Sequence, residues 1–179
     1  MRISDQDEFR AFAEERLPEL RRTAHWICGD WHHAEDIAQI ALTKIYATWD
    51  RRHRIDNLEA FAQTVVTRAS IDHCRRRWRR ERPVETLPDS AGPHTDPSLG
   101  LQVRTALNAL PTRQRAVVVL RFWADLDIAT TAKALNCSAG TVKSHTARAL
   151  AKLRELLGDA DPFEQLTGAP GPAPATRAQ

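Results

Sequence analysis

The sequence predicts an all-α protein of two small helical domains joined by a flexible linker. Three observations carry this. Apolar residues recur at helical spacing in both halves, no stretch keeps the two-residue alternation of a strand, and a proline-rich segment divides the chain. The expected boundaries are 1–82 for the first domain, 83–98 for the linker, 99–158 for the second domain and 159–179 for a disordered tail. At 179 residues, each domain has room for one modest core.

In the first half, Phe9, Phe12 and Ala13 have helical spacing, and this helix is expected to end before Pro18. Pro18 and Glu19 suit the first turn of a second helix, which carries Leu20, Ala24 and Ile27 and stops at Gly29. Asp30 is placed to cap a third helix with one apolar stripe: Ile37, Ala38, Ala41, Leu42, Ile45 and Trp49. Asp50 to Asp56 reads as a short basic loop. Asn57 then caps a long helix through Phe61, Val65, Val66, Ala69 and Ile71 into an arginine run. After the linker, helices are expected over 99–110, 112–123, about 127–135 and about 139–157, the last closed by Gly158. The tail, with Gly-Ala-Pro-Gly-Pro-Ala-Pro-Ala, lacks the apolar residues for a core.

The net charge of +3 conceals strong patterning. Residues 51–82 and 99–158 each carry +6, residues 1–50 carry −4, and the linker and tail are acidic. Apart from Lys44, Lys133, Lys143 and Lys152, every basic residue is arginine, whose fork suits phosphate and carboxylate. Two basic blocks separated by an acidic strip suggest a nucleic-acid binder; solvated helix faces are the plain alternative. Cys28, Cys74 and Cys137 are odd in number and scattered, as expected of reduced thiols. Neither a secretory signal nor a membrane-length apolar run appears, so a soluble, cytoplasmic protein is expected.

The stretch 126–156 is the most informative. Ala129, Ala132, Ala134 and Leu135 form a short helix of small packing residues, and Asn136-Cys137-Ser138 makes a tight turn. Ser138 caps the next helix, whose Val142, Ala149, Leu150, Leu153 and Leu157 face the core. Its other face presents Thr141, Ser144, His145, Arg148 and Lys152, without a carboxylate. Such a helix fits a major groove, with Lys143, Arg148 and Arg121 available to phosphates. An ordinary amphipathic surface helix would show the stripe without the capped turn.

These residues, together with Ala109-Leu110-Pro111-Thr112-Arg113-Gln114-Arg115, resemble region 4 of bacterial extracytoplasmic-function (ECF) sigma factors. That group of the sigma-70 family includes an actinobacterial SigE-like type, which the chain resembles. The resemblance implies that Thr141, Lys143, Ser144, His145 and Arg148 read the −35 promoter element and that this domain meets the β flap of RNA polymerase. Thr130 stands where the family often has an acidic residue. Ala34-Glu35-Asp36-Ile37-Ala38-Gln39 and Asp56-Asn57-Leu58-Glu59-Ala60-Phe61 are similar to region 2 of the same family. The resemblance then implies that Asp36, Gln39, Ile40 and Thr43 hold the β′ clamp helices of core polymerase. Ile40 replaces a usual acidic residue. For the −10 element it implies Arg51, Arg52, Arg54, Asn57, Arg68, Arg75, Arg76, Trp78 and Arg79, with the loop 51–57 receiving a flipped base. Arg68 stands where the family often has Asn.

The resemblance implies a sigma factor rather than an enzyme, with no cofactor. Its partners would be core RNA polymerase, promoter DNA and an anti-sigma factor, with no membrane contact. The sixteen-residue linker spans at most roughly 53–58 Å when extended. Promoter elements about 16–18 base pairs apart are roughly 55–60 Å apart, so simultaneous contact is feasible. Rival readings are a free-standing helix-turn-helix regulator and an RNA-binding or protein-interaction adaptor. His25, Cys28 and His32, spaced as on one helix face, raise a zinc site, but a fourth ligand is missing and no metal is expected. Cys74, beside His73 and several arginines, raises a reactive thiol, though no substrate site accompanies it.

Overall fold

The computed structural model describes residues 3–80 and 97–158, with the side chains of 3–4, 78–80 and 97–100 outside the description. The first unit comprises α1 (Ile3–Cys28), α2 (Trp31–Tyr46), a 3-10 turn (Trp49–Arg54) and α3 (Leu58–Arg80). The second comprises α4 (Pro97–Asn108), α5 (Thr112–Val118) running into a π turn (Val119–Trp123), α6 (Ile128–Leu135) and α7 (Ala139–Leu157). Among the described residues there is no strand. Most of the expected linker and the whole tail lie outside the described residues.

The expected caps form. Asp30 accepts from the His33 amide at 3.1 Å, Asn57 from the Ala60 amide at 2.9 Å and Ser138 from the Thr141 amide at 3.1 Å. Each fills one of the orphan donors of a first helical turn. Asn136 ends α6 in the left-handed region at φ 50°, which Asn tolerates better than most residues. The stripe from Ile37 to Trp49 is buried against Leu20, Ala24, Ala62, Val66 and Ala69, forming the first unit's core.

Two local expectations fail. Pro18 does not divide α1, which runs through it as one 26-residue helix. Pro18 lies on the exposed side, as does Glu14, whose carbonyl it deprives of a donor. Phe9, Phe12, Ala13 and Leu17 before it and Leu20 and Ala24 after it pack on the same core, and this packing holds the helix continuous. The helix expected over 112–123 widens after Val118: the Ala124 amide reaches back to the Val119 carbonyl at 3.0 Å. Residues 115–120 are buried all round, as befits a helix with apolar neighbours on every side. Val118 faces α4 and α7, while Val117, Val119 and Leu120 face α6 and the first unit.

The two units are not held apart. Ile27, fully buried, joins the cluster of Ala116, Val117, Leu120, Trp123 and Val142, with Trp26 and Ile71 packed against it. Burying one such side chain contributes about 1.5–3 kcal/mol. At the centre sits Arg115, which donates to the carbonyls of Ile27 (2.9 Å), Asn108 (3.0 Å) and Leu110 (3.1 Å) and to the Asn108 side-chain oxygen (2.7 Å). Burial pushes its pKa down, opposed by the neighbouring thiols of Cys74 and Cys28. Gly29 makes the approach possible. Its φ is +79°, and a Cβ there would fall 2.7 Å from the Asn108 side-chain oxygen.

Arg115→Ala strands four acceptors at the junction. The expected loss is about 3 kcal/mol. That corresponds to a melting temperature lower by roughly 6–12 °C in scanning calorimetry. A shift below about 2 °C would mean that water satisfies these carbonyls and the junction is not built on Arg115.

Candidate nucleic-acid and partner interfaces

The clearest candidate surface is the outer face of α7. The small residues of α6 let it cross closely beneath α7, and Val142, Ala149 and Leu153 anchor α7 from below. Lys143 and Arg148 are exposed; Thr141, Ser144, His145 and Lys152 are half-buried. The Ser138 and Thr141 hydroxyls lie 2.9 Å apart, and Ser144 donates to the Thr141 carbonyl at 3.0 Å. The first turn therefore holds its polar side chains in fixed places. Lys152 is paired with Glu155 at 2.8 Å, whereas among the described residues Lys143 and Arg148 are not paired with a carboxylate. Asp127 caps α6 and accepts from the Thr130 amide at 2.7 Å, a bond that holds its carboxyl below the usual range.

Arg121 corrects one expectation. It is turned inward and donates to the Leu126 carbonyl, stapling the loop before α6. It is not presented as a phosphate ligand.

On α2, Asp36, Gln39, Ile40 and Thr43 all lie exposed opposite the buried stripe. Ile40 is 45% exposed, a large apolar group in a polar patch. Thr43 donates to the Gln39 backbone carbonyl one turn back at 2.9 Å, and the Gln39 residue is exposed. This face offers one carboxylate, one amide and one apolar anchor on a rigid helix.

The residues assigned to the −10 element divide into several groups. Arg51, Arg54 and Asn57 are exposed around the 3-10 turn. Arg52 is engaged internally: it donates to Asp5 at 2.9 Å and to Glu8, and lies over the Trp49 ring at 5.3 Å. Its hydrogen bonds to the two carboxylates, Asp5 first, raise its pKa further. Arg52 thus ties the loop to α1. Along α3, Arg75 pairs with Asp72 at 3.1 Å and Arg76 bonds the Asp72 carbonyl at 3.3 Å, both exposed. The side chains of Trp78 and Arg79 lie outside the described residues.

Arg68 is used differently from its expected role. It donates Nε–H to the Ala134 carbonyl and Nη2–H to the Lys133 carbonyl, each at 2.7 Å. A guanidinium at the negative end of α6 is favoured by the helix dipole and by the last carbonyls there. The histidines and cysteine that raised a zinc reading, already set aside for want of a fourth ligand, do not share a helix: Gly29 ends α1 between Cys28 and His32, and His25 is buried, stacked on Trp31 at 3.9 Å. Among the described residues no group of His, Cys, Asp and Glu is arranged to hold a metal.

Sequence reasoning missed Arg115, Asn108 and Gly29 as junction residues. An arginine within a buried apolar run was the available signal, since such a charge needs dedicated acceptors.

Comparison with known proteins agrees with this geometry. The Sigma-70 region 2 family profile matches residues 12–80, and the Sigma-70, region 4 profile matches residues 100–153. The RNA polymerase sigma-E factor of Streptomyces avermitilis is 37% identical over 159 residues, covering 86% of this chain and 87% of that protein. The ECF RNA polymerase sigma factor SigM of Mycobacterium tuberculosis is 30% identical, over 78% of this chain and 72% of its own length. Among solved structures, the sigma factor RpoE of Bartonella quintana, in complex with the anti-sigma factor NepR, aligns with a TM-score of 0.69. It is 27% identical and matches 86% of this chain and 99% of its own.

Arg68→Ala removes the fork from the end of α6. Amide exchange around 133–137 should quicken by about fivefold, the equivalent of about 1 kcal/mol, while α2 stays unchanged. Unaltered exchange at 133–137 would show that Arg68 lies idle there.

Proposed function

The chain belongs to the extracytoplasmic-function group of the sigma-70 family, proteins that bind core RNA polymerase and direct promoter recognition and transcription initiation, and from that premise we propose how its own residues share the task. Residues 1–82 form the unit for core polymerase and the −10 element. Residues 99–158 form the unit for the −35 element, with 83–98 as the tether. The chain supplies specificity and the polymerase supplies the chemistry. Among the described residues no helix is long and apolar enough to cross a membrane, which is compatible with work in the cytoplasm.

The observation that carries this division is the α7 face. A serine-capped helix on a small-residue support presents Thr141, Lys143, Ser144, His145 and Arg148 without an intervening carboxylate. Thr141, Ser144 and His145 are assigned to base edges, Lys143 to phosphate, and Arg148 to either. Asp36, Gln39, Ile40 and Thr43 form the contact for the β′ clamp helices, with Ile40 substituting apolar contact for charge. The second unit meets the β flap. Arg51, Arg54 and Asn57 surround the place for a flipped −10 base, and Arg52 acts by fixing that loop. Arg75, Arg76 and Arg79 neutralise phosphates, with Trp78 beside them. Arg68 reaches the −10 DNA only after leaving α6. An anti-sigma factor is a further partner, on the ground that the Bartonella quintana relative is held by one.

Reconstitution with bacterial core polymerase and run-off transcription from a genomic promoter library tests this reading. The full chain should form a stable holoenzyme and select a defined promoter set; absence of core binding would sink it. Asp36→Arg should weaken core binding by about tenfold or more, since like charges then face the partner helix. Lys143→Ala should weaken all promoters alike and lower the salt slope by about 1. Arg148→Ala should cost about 1–3 kcal/mol in a sequence-dependent way if it reads a base.

A further inference from the structure

A pair of thiols lies unused by promoter recognition. Cys28 is the last residue of α1, and Cys74 lies on α3. Their sulfurs are 3.7 Å apart, and both residues are half-buried. The Cys74 sulfur also sits 3.9 Å from the Ile27 carbonyl, which is the same oxygen that receives Arg115. The Cys28 sulfur sits 3.8 Å from the Ser70 carbonyl. Two thiols from different helices therefore meet where the second unit docks on the first. A disulfide needs about 2.05 Å between sulfurs, so the gap has to close by less than 2 Å.

We propose that Cys28 and Cys74 form a peroxide-responsive dithiol that converts reversibly to an intramolecular disulfide linking α1 to α3. The two cysteines are inequivalent. The hydrogen bond shared with Cys28 lowers the Cys74 pKa to about 7, against the effect of burial, and Arg115 and Arg77 lower it further. That same bond to Cys74, with burial, pushes Cys28 far up. Cys74 is thus the attacking thiolate and Cys28 the resolving thiol.

The steps balance. The Cys74 thiolate attacks one peroxide oxygen; an S–O bond forms, the O–O bond breaks and hydroxide leaves, giving a sulfenic acid. Cys74 then carries no negative charge, so the bond that held the proton on Cys28 is gone. The Cys28 sulfur attacks the Cys74 sulfur; the S–S bond forms, the S–O bond breaks, and the departing hydroxide takes the Cys28 proton as water. Two thiols lose two electrons to one peroxide, which leaves as two waters. A dithiol reductant reverses the change. The consequence lies at the docking site: the oxidised pair offers Arg115 no thiolate and fixes the end of α1 beside Gly29.

The test uses the full reduced chain and hydrogen peroxide, followed by alkylation under denaturing conditions and mass spectrometry. Expected is a monomer lighter by two hydrogens before alkylation, with only Cys137 alkylated. Its tryptic peptide 23–44 should be joined to peptide 69–75. In the Cys28→Ser variant a sulfenic acid at Cys74 should be trapped by dimedone several-fold faster than one at Cys137. Cys74→Ser should leave Cys28 unoxidised. Since the wild-type peptide map decides by itself, poor folding of a variant does not blunt the test. Three alkylated thiols after peroxide, a linkage through Cys137, disulfide-bonded dimers, or sulfinic acid at Cys74 would each overturn the proposal.

Discussion

A buried guanidinium organises this molecule. Arg115 lies deep between two helical units and reaches acceptors on both, the Ile27 carbonyl at the end of α1 and the Asn108 and Leu110 carbonyls at the end of α4. A charge in that position is costly unless its donors find oxygens. The surrounding structure supplies four to the two terminal nitrogens, while Nε–H is buried without one. α1 stops at Gly29, whose positive φ turns the chain away and whose missing side chain admits Asn108. The apolar wall of Ile27, Val117, Leu120 and Trp123 then excludes water from these bonds. Direction comes from the guanidinium and driving force from the apolar surface, so the junction is specific as well as closed.

Docking changes what the surface residues do. Arg68, which the family resemblance assigns to promoter DNA, is engaged at the C-terminal end of α6. Arg52 and Arg121 are likewise engaged with their own chain, one at α1 and one at the loop before α6. The outward α7 residues and the α2 patch stay open. The chain therefore carries two kinds of arginine, those that hold the scaffold and those that face solvent, and the block charges of +6 mix the two. The arginine count overstates the grip on DNA.

What the sequence made legible follows from range. The α2 stripe, the caps at Asp30, Asn57 and Ser138, and the α6–α7 turn are local: periodicity and capping chemistry within a few residues determine them. The α7 face could be read for the same reason. Pro18 misled because its local penalty is overridden by packing on both sides of it, which no window of α1 contains. The π turn depends on two cores competing for one run of valines. Ile27 fitted the first unit's stripe, and nothing in its neighbourhood said that it would bury itself in the second. Arg68, Arg115 and Arg121 look alike as letters, and only the distant carbonyls distinguish them.

Docking of the two units through Arg115 is the central claim, and an interspin distance measures it directly. Spin labels at Lys44 on α2 and Ala151 on α7, carried on unnatural amino acids so that the thiols stay free, report one unit against the other. Both positions are exposed on helices. The free chain should give one narrow distance distribution by pulsed dipolar spectroscopy, and Arg115→Ala should broaden it toward longer distances. A broad distribution in the unaltered chain, unchanged by the substitution, would contradict the account.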